Sequence, residues 1–365
     1  MSGNAGQDPL GVAVVGLGYW GPNLVRNLHE VSGAEVVLAC DRRQEALDTL
    51  ARRYPAIRRT TDIEEVLDDP AVEAVVVATP VSTHHALALS GLVAGKHVFV
   101  EKPLAASSTQ AQELVETATQ RGLVLMPGHT FLYSPPVRMI RDLIVSGELG
   151  EIYFISTSRV NLGIHQPDVS VVWDLGPHDF SILRYWLDEV PSTVAALTRG
   201  CVTPDTPDVA FIHLVFDSGT IANVEIAWLA PSKLRRTTIV GSEKMVVYDD
   251  TSIEPIRIFD SGASLQDPQT FGEYQLAYRT GDIVSPKVEV TEPLALQLQD
   301  FCAAIRNGTV PRSSAAVGLD VVTITEAVDR SLDLHGCPVG VESKQLQIGE
   351  YARSAAADRP RSPLA

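Results

Sequence analysis

Positive charge is scarce in this chain: across 365 residues, 29 lysines and arginines stand against 45 aspartates and glutamates, a formal net charge of −16. So acidic a balance excludes a nucleic-acid partner, whose phosphates need a basic surface. Long apolar runs are missing as well. None approaches a bilayer's thickness, and Met1 to Pro9 has neither the basic region nor the apolar core of a signal peptide. These absences predict a cytoplasmic protein with no membrane contact. Four scattered cysteines (Cys40, Cys201, Cys302, Cys337) form no C-x-x-C pair. That excludes a disulfide frame and a zinc site, so no metal is expected, and the thiols read as buried small hydrophobes in a reducing compartment. What is present is ordinary for a globular protein, 45% hydrophobic and 20% charged residues, in a chain long enough for two domains.

The most informative stretch runs from Gly11 to Asp41. An apolar run, Val12 to Val15, leads into Gly16-Leu17-Gly18-Tyr19-Trp20-Gly21, and a helical pattern from Pro22 to Val31 follows. Gly16 permits a tight strand-to-helix turn, Gly18 lets a pyrophosphate approach the backbone, and Gly21 lets helix and strand pack closely. The helix N-terminus then favours an anion. Asp41, after the second apolar run Val36 to Cys40, is placed to accept hydrogen bonds from ribose hydroxyls. Its carboxylate would repel a 2′-phosphate, which favours NAD, whereas Arg42 and Arg43 offer NADP a phosphate contact.

Strand-like and helix-like segments alternate as far as about residue 150. Val72 to Ala78, Lys96 to Val100 and Leu123 to Met126 read as strands; Ser82 to Val93, Ser107 or Ser108 to Gln120, and Pro135 to Val145 read as helices. This alternation is the signature of a doubly wound parallel sheet. Thereafter strands follow without helices between them: Ile152 to Val160, Thr193 to Arg199, Val209 to Phe216, Thr220 to Trp228, Leu234 to Gly241 and Met245 to Asp249, interrupted once by a helix from Pro177 to Leu187. That succession predicts a largely antiparallel sheet. The domain reading is a tail at 1–9, a dinucleotide-binding domain at 10–130 and an α+β domain at 131–335. Late helices within 294–332 are expected to pack back on the first domain, and a disordered tail is expected at 350–365.

The chain resembles the Gfo/Idh/MocA family of NAD(P)-dependent oxidoreductases over nearly its whole length. The residues that carry the resemblance are Gly16 to Gly21, Ala78-Thr79-Pro80-Val81-Ser82-Thr83-His84, Glu101-Lys102-Pro103-Leu104-Ala105 and Trp173-Asp174-Leu175-Gly176-Pro177-His178-Asp179. The resemblance implies a Rossmann domain followed by an open-faced sheet domain that often joins another subunit, here as a homodimer or homotetramer. It implies oxidation or reduction of a secondary alcohol on a sugar, cyclitol or nucleotide-linked sugar, with the third carbon as the preferred position. It also implies His178 as acid/base, Lys102 as its partner and Asp174 as an anchor for a substrate hydroxyl.

Such a reaction needs a base facing the hydroxyl proton and a cation to stabilise the developing alkoxide. His178 and Lys102 are the candidates, and the residues leave open which of them takes the proton. Asp174 and His178 share one face if both are helical, although Pro177 places Asp174 in the loop just before the helix. Each residue also has a structural reading: a buried histidine, a surface lysine, a helix-capping aspartate. Thr79, Pro80, His84 and Glu101 join Gly16, Gly18, Tyr19, Trp20, Gly21, Asp41, Arg42 and Lys102 as cofactor candidates. Tyr133, Arg159, Asn161 and Trp173, with His165 and Gln166 nearby, are substrate candidates. Leu132 stands where many family members carry an arginine, which removes one anion contact and weakens the case for a carboxylated sugar. The runner-up readings are an NADPH-dependent keto-sugar reductase, a cyclitol dehydrogenase, and a non-catalytic NAD-binding sensor, the last disfavoured by Lys102, Asp174 and His178.

Overall fold

The computed structural model describes residues 8–163, 165, 169–265 and 276–342. Gln166 and the tail expected at 350–365 lie outside them. The chain divides into two compact units, one of Met1–Thr130 with Leu294–Leu319 and Ser343–Ala365, the other of Phe131–Pro293 with Asp320–Glu342.

The first unit alternates strand and helix: β1 Leu10–Val15, α1 Gly21–Glu30, β2 Ala34–Cys40, α2 Gln44–Arg53, β3 Arg58–Thr60, α3 Ile63–Asp68, β4 Ala74–Val77, α4 Val81–Val93, β5 His97–Val100, α5 Ser108–Arg121 and β6 Leu125–Pro127. The six strands form one parallel sheet in the order β3-β2-β1-β4-β5-β6. Strands buried on both faces read as unbroken apolar runs, which is why β1 and β4, buried at every residue, are so legible. The strand order reverses between β1 and β4, and ligands of such sheets bind at the carboxyl ends beside that point. Helix α5 is capped at both ends. Ser107 accepts the Gln110 N–H at 3.2 Å before α5, and Gly122, left-handed, closes it.

In the second unit α6 Pro135–Val145 precedes β7 Ile152–Val160, α7 Val171–Leu187 and seven further strands: β8 Thr193–Arg199, β9 Val209–Val215, β10 Ile221–Ala227, β11 Leu234–Gly241, β12 Met245–Asp249, β13 Ile256–Leu265 and β14 Leu276–Val284. Helices α8 Pro293–Asn307 and α9 Ala315–Asp333 and a short β15 Val339–Gly340 complete the chain. The nine-stranded sheet runs β14-β13-β12-β11-β7-β10-β9-β8-β15. Every pairing is antiparallel except β7 with β10. One face packs under α7, with Ile155, Ala222, Val224, Ile226, Ile212 and Leu214 buried. On the other face Val215, Ile221 and Phe154 pair directly across three strands and stay exposed, as do Leu197 and Phe211.

Three expectations need correction. Helix α7 begins at Val171 and not at Pro177, so Asp174 lies inside it; Ser170 accepts the Asp174 N–H at 3.0 Å. Pro177 removes only one ladder bond and the helix continues through it. The cysteines divide: Cys40 and Cys302 are buried, but Cys201 and Cys337 sit in exposed turns after β8 and α9. The sheet also gains β13, β14 and β15, none of which the sequence reading foresaw.

Candidate functional site

In the first unit the candidate residues gather at the carboxyl ends of β1, β2, β4 and β5. A Cβ on Gly16 (φ +94°) would lie 2.5 Å from the Ala78 carbonyl oxygen, and one on Gly21 only 2.1 Å from that of Gly16. A Cβ on Gly18 would meet nothing within 4 Å. The outer glycines are therefore demanded by packing, while Gly18 leaves open space along the loop. No side chain caps α1 and no acid lies in its first turn, so its N-terminal dipole is left for an anionic ligand. These features fit a dinucleotide diphosphate. Tyr19 and Trp20 project outward, edge to face at 5.6 Å.

Asp41 is bound from two sides. Oδ2 accepts the Leu17 N–H at 2.7 Å, and the Arg43 guanidinium forks onto both oxygens at 3.1 Å. Burial alone would raise this carboxyl, but the hydrogen bonds from Arg43 and Leu17 outweigh it and hold Asp41 below the ordinary value of 3.8. Arg43, offered with Arg42 as a contact for a 2′-phosphate, is thus paired with Asp41, and Arg42 is exposed beside it.

The loops after β4 and β5 are tied together by His84. Its ring is buried, with Nδ1 2.8 Å from the Pro103 carbonyl oxygen and Nε2 2.8 Å from that of Thr79. The Thr83 hydroxyl donates to Thr79 Oγ1 at 2.7 Å, and Pro80 caps α4. Glu101 is buried, with Oε2 accepting the Lys102 N–H at 3.3 Å; burial pushes its carboxyl up to about 7 against the pull of Lys102. Gly128 packs tightly on Glu101, where an added Cβ would lie 3.0 Å from Oε2. Beside it His129, fully buried, is pushed down to about 3 by burial and by the Lys102 charge. Nothing in the sequence reading had singled out His129.

In the second unit α7 presents Asp174 and His178 one turn apart on one face. Asp174 Oδ2 accepts the indole N–H of buried Trp228 at 3.0 Å. The His178 ring meets Phe131 edge-on, 5.0 Å between centroids. On β7 the Arg159 guanidinium lies 4.5 Å from the centre of that same Phe131 ring and donates to Asp179 at 2.6 and 3.2 Å. The Thr157 hydroxyl completes this buried pair at 3.0 Å from Asp179. Arg235 of β11 approaches Phe131 from 5.7 Å. Tyr133 is buried, the Asn161 N–H donates to Ala227, and the Trp173 indole donates to Asp329 at 2.7 Å. His165 stacks near Trp228 with Nε2 3.6 Å from buried Asp208. Phe131, Asp179, Trp228 and Arg235 had escaped sequence reading. For Arg235 the signal is the strand register, which sets it directly opposite Arg159.

A family model described as "Oxidoreductase family, NAD-binding Rossmann fold" matches residues 10–129, and the Gfo/Idh/MocA C-terminal domain model matches residues 137–247. The chain belongs to the Gfo/Idh/MocA family. As a member it is an NAD(P)-dependent dehydrogenase with an NAD-binding Rossmann domain. It is similar to scyllo-inositol 2-dehydrogenase (NAD(+)) of Bacillus subtilis strain 168, 26% identical over 92% of this chain and 98% of the relative. Inositol 2-dehydrogenase 2 of Saccharopolyspora erythraea is 31% identical over 60% of this chain and 66% of its own length. Among solved structures, GenD2 from gentamicin A biosynthesis in complex with NAD superimposes with a TM-score of 0.78 at 26% identity, covering 93% of this chain and 98% of that one. Leu132, where the resemblance implies an arginine, is buried, and Arg159 and Arg235 flank the neighbouring Phe131.

Proposed function

We propose that this protein oxidises a secondary hydroxyl, the one on the third carbon, of a free, glycosidic or nucleotide-linked pyranose to a keto-sugar, with NAD as the oxidant. The observation that carries the reading is Asp174 and His178 on one face of α7, with Asp174 held by the Trp228 indole. NAD, held by Gly16 to Gly21 and Asp41, supplies the hydride acceptor; the protein must remove the hydroxyl proton. His178 and Lys102 do this work, while Asp174 anchors a neighbouring hydroxyl. The position on the ring rests on the family resemblance alone. Inositols are the second reading, favoured by the full-length similarity to scyllo-inositol 2-dehydrogenase. Following reduced-nicotinamide absorbance across sugars, nucleotide sugars and inositols tests both. A pyranose turned over with NAD supports the first reading, turnover of inositols alone the second, and silence across the panel overturns both.

We further propose a homodimer or homotetramer joined through the uncovered face of the nine-stranded sheet. Phe154, Leu197, Phe211, Val215 and Ile221 stay exposed there, an apolar patch of the kind that marks a protein interface. Light scattering at micromolar concentration should give a multiple of 39.4 kDa; a single monomeric species would refute it. All four cysteines are free, as suits a reducing compartment such as the cytoplasm, and no helix among the described residues is long and apolar enough to cross a membrane.

A further inference from the structure

We propose that His84 is a doubly protonated imidazolium at neutral pH and acts as a positioning residue for Lys102, holding the loop that carries Lys102 to the loop after β4. The argument is one of donors and acceptors. Both ring nitrogens lie 2.8 Å from backbone carbonyl oxygens, those of Pro103 and Thr79, and a carbonyl oxygen only accepts. A neutral imidazole carries a single N–H. It would therefore point a lone pair at one of the two oxygens at hydrogen-bonding distance, a repulsive contact in place of a bond. Turning the ring over loses both bonds, because carbons then face the oxygens. Only the imidazolium donates to both, and such charge-assisted bonds are the shorter and stronger kind.

Opposing forces are present. The ring is buried and stands in the first turn of α4, where the helix dipole disfavours a cation. Lys102, next to Pro103, adds a like charge and Glu101 an acid on the same loop; on α4 itself, His85 is engaged by Glu113 of α5 at 2.8 Å. The two short contacts decide in favour of the cation. Their consequence is mechanical: Pro103 directly follows Lys102, and Thr79 is fixed by Thr83, so the imidazolium anchors the Lys102 backbone to the end of a central strand.

This inference rests on the reading of Lys102 as a proton-handling group, and its tests separate the two. Neutron diffraction on the deuterated full-length protein at neutral pD should show a deuteron on both Nδ1 and Nε2 of His84. One bare nitrogen would overturn the imidazolium. His84→Gln, which offers an amide to only one carbonyl, should lower kcat about ten- to a hundredfold, the scale of a small misplacement of a catalytic group, with KM and NAD affinity within about twofold. An unchanged kcat, or NAD affinity lost in step with thermal stability, would overturn the positioning role. Full turnover by Lys102→Ala would sink the reading of Lys102 but leave the neutron result standing.

Discussion

His178→Ala and Lys102→Ala should each lower turnover by roughly two to four orders of magnitude, the range for a positioned proton-transfer group. NAD binding should change far less, above all for His178, which belongs to the second unit while the glycine loop and Asp41 belong to the first. The His178 ring also packs edge-on against Phe131 at 5.0 Å. Its removal therefore costs some stability, and thermal unfolding of the variant measures that separately from kcat. Near-normal turnover by His178→Ala at every pH would make His178 structural and leave the proton to Lys102 alone.

Acid should destabilise this protein through His129, by about 5 kcal/mol when complete. The folded protein holds His129 at about 3, against an ordinary 6.5, because burial and Lys102 both disfavour its charged form. Between these values the unfolded chain binds a proton that the folded one refuses. Stability from this group is thus fully present above pH 6.5 and lost as pH falls towards 3, at ~1.4 kcal/mol per pH unit. Neither ring nitrogen has a hydrogen-bond partner among the described residues, so no acceptor stabilises the charged ring in the fold. Glu101 works in the opposite sense. Its folded value of about 7 exceeds the ordinary 4.5, so its contribution is present below pH 4.5 and lost by about 3 kcal/mol as pH rises to 7. Between pH 4.5 and 6.5 the two slopes oppose each other, so the test is a difference: in urea unfolding from pH 4 to 8, His129→Leu should gain stability over the parent by ~1.4 kcal/mol per pH unit as pH falls below 6.5; a difference that does not change with pH would show that His129 titrates normally in the fold.

Sequence was most informative where one local pattern fixes the structure. Gly16, Gly18 and Gly21 sit between a buried strand and a helix, and Asp41 ends the next strand; each is legible because neighbours in sequence do the work. The start of α7 was misread because a proline commonly marks a first turn, whereas here Ser170 begins the helix and Pro177 is carried inside it. Strands β13 and β14 carry Asp260, Ser261, Gly262, Gly281 and Asp282, which hide the alternation of a strand. The Arg159–Asp179 pair was invisible for another reason. Arg159 reads as a polar strand residue, and only the packing of α7 on the sheet makes it a buried ion whose partner lies a helix away.

The first unit is not a contiguous stretch of chain. Its sheet is covered in part by the returning Leu294–Leu319: Phe301 meets Phe99 edge-on at 5.8 Å, Ser313 donates to the Pro127 carbonyl at 2.7 Å, and Thr130 donates to Gln297 at 2.8 Å. A gene fragment ending at Thr130 would strip Phe99 of this cover and leave the Pro127 carbonyl without its hydroxyl donor. The NAD-binding half is therefore not a portable cassette. Exchange of substrate domains between relatives must splice the chain on either side of Phe131–Pro293 and again after Leu319, inside α9, because Asp320–Glu342 belongs to the second unit.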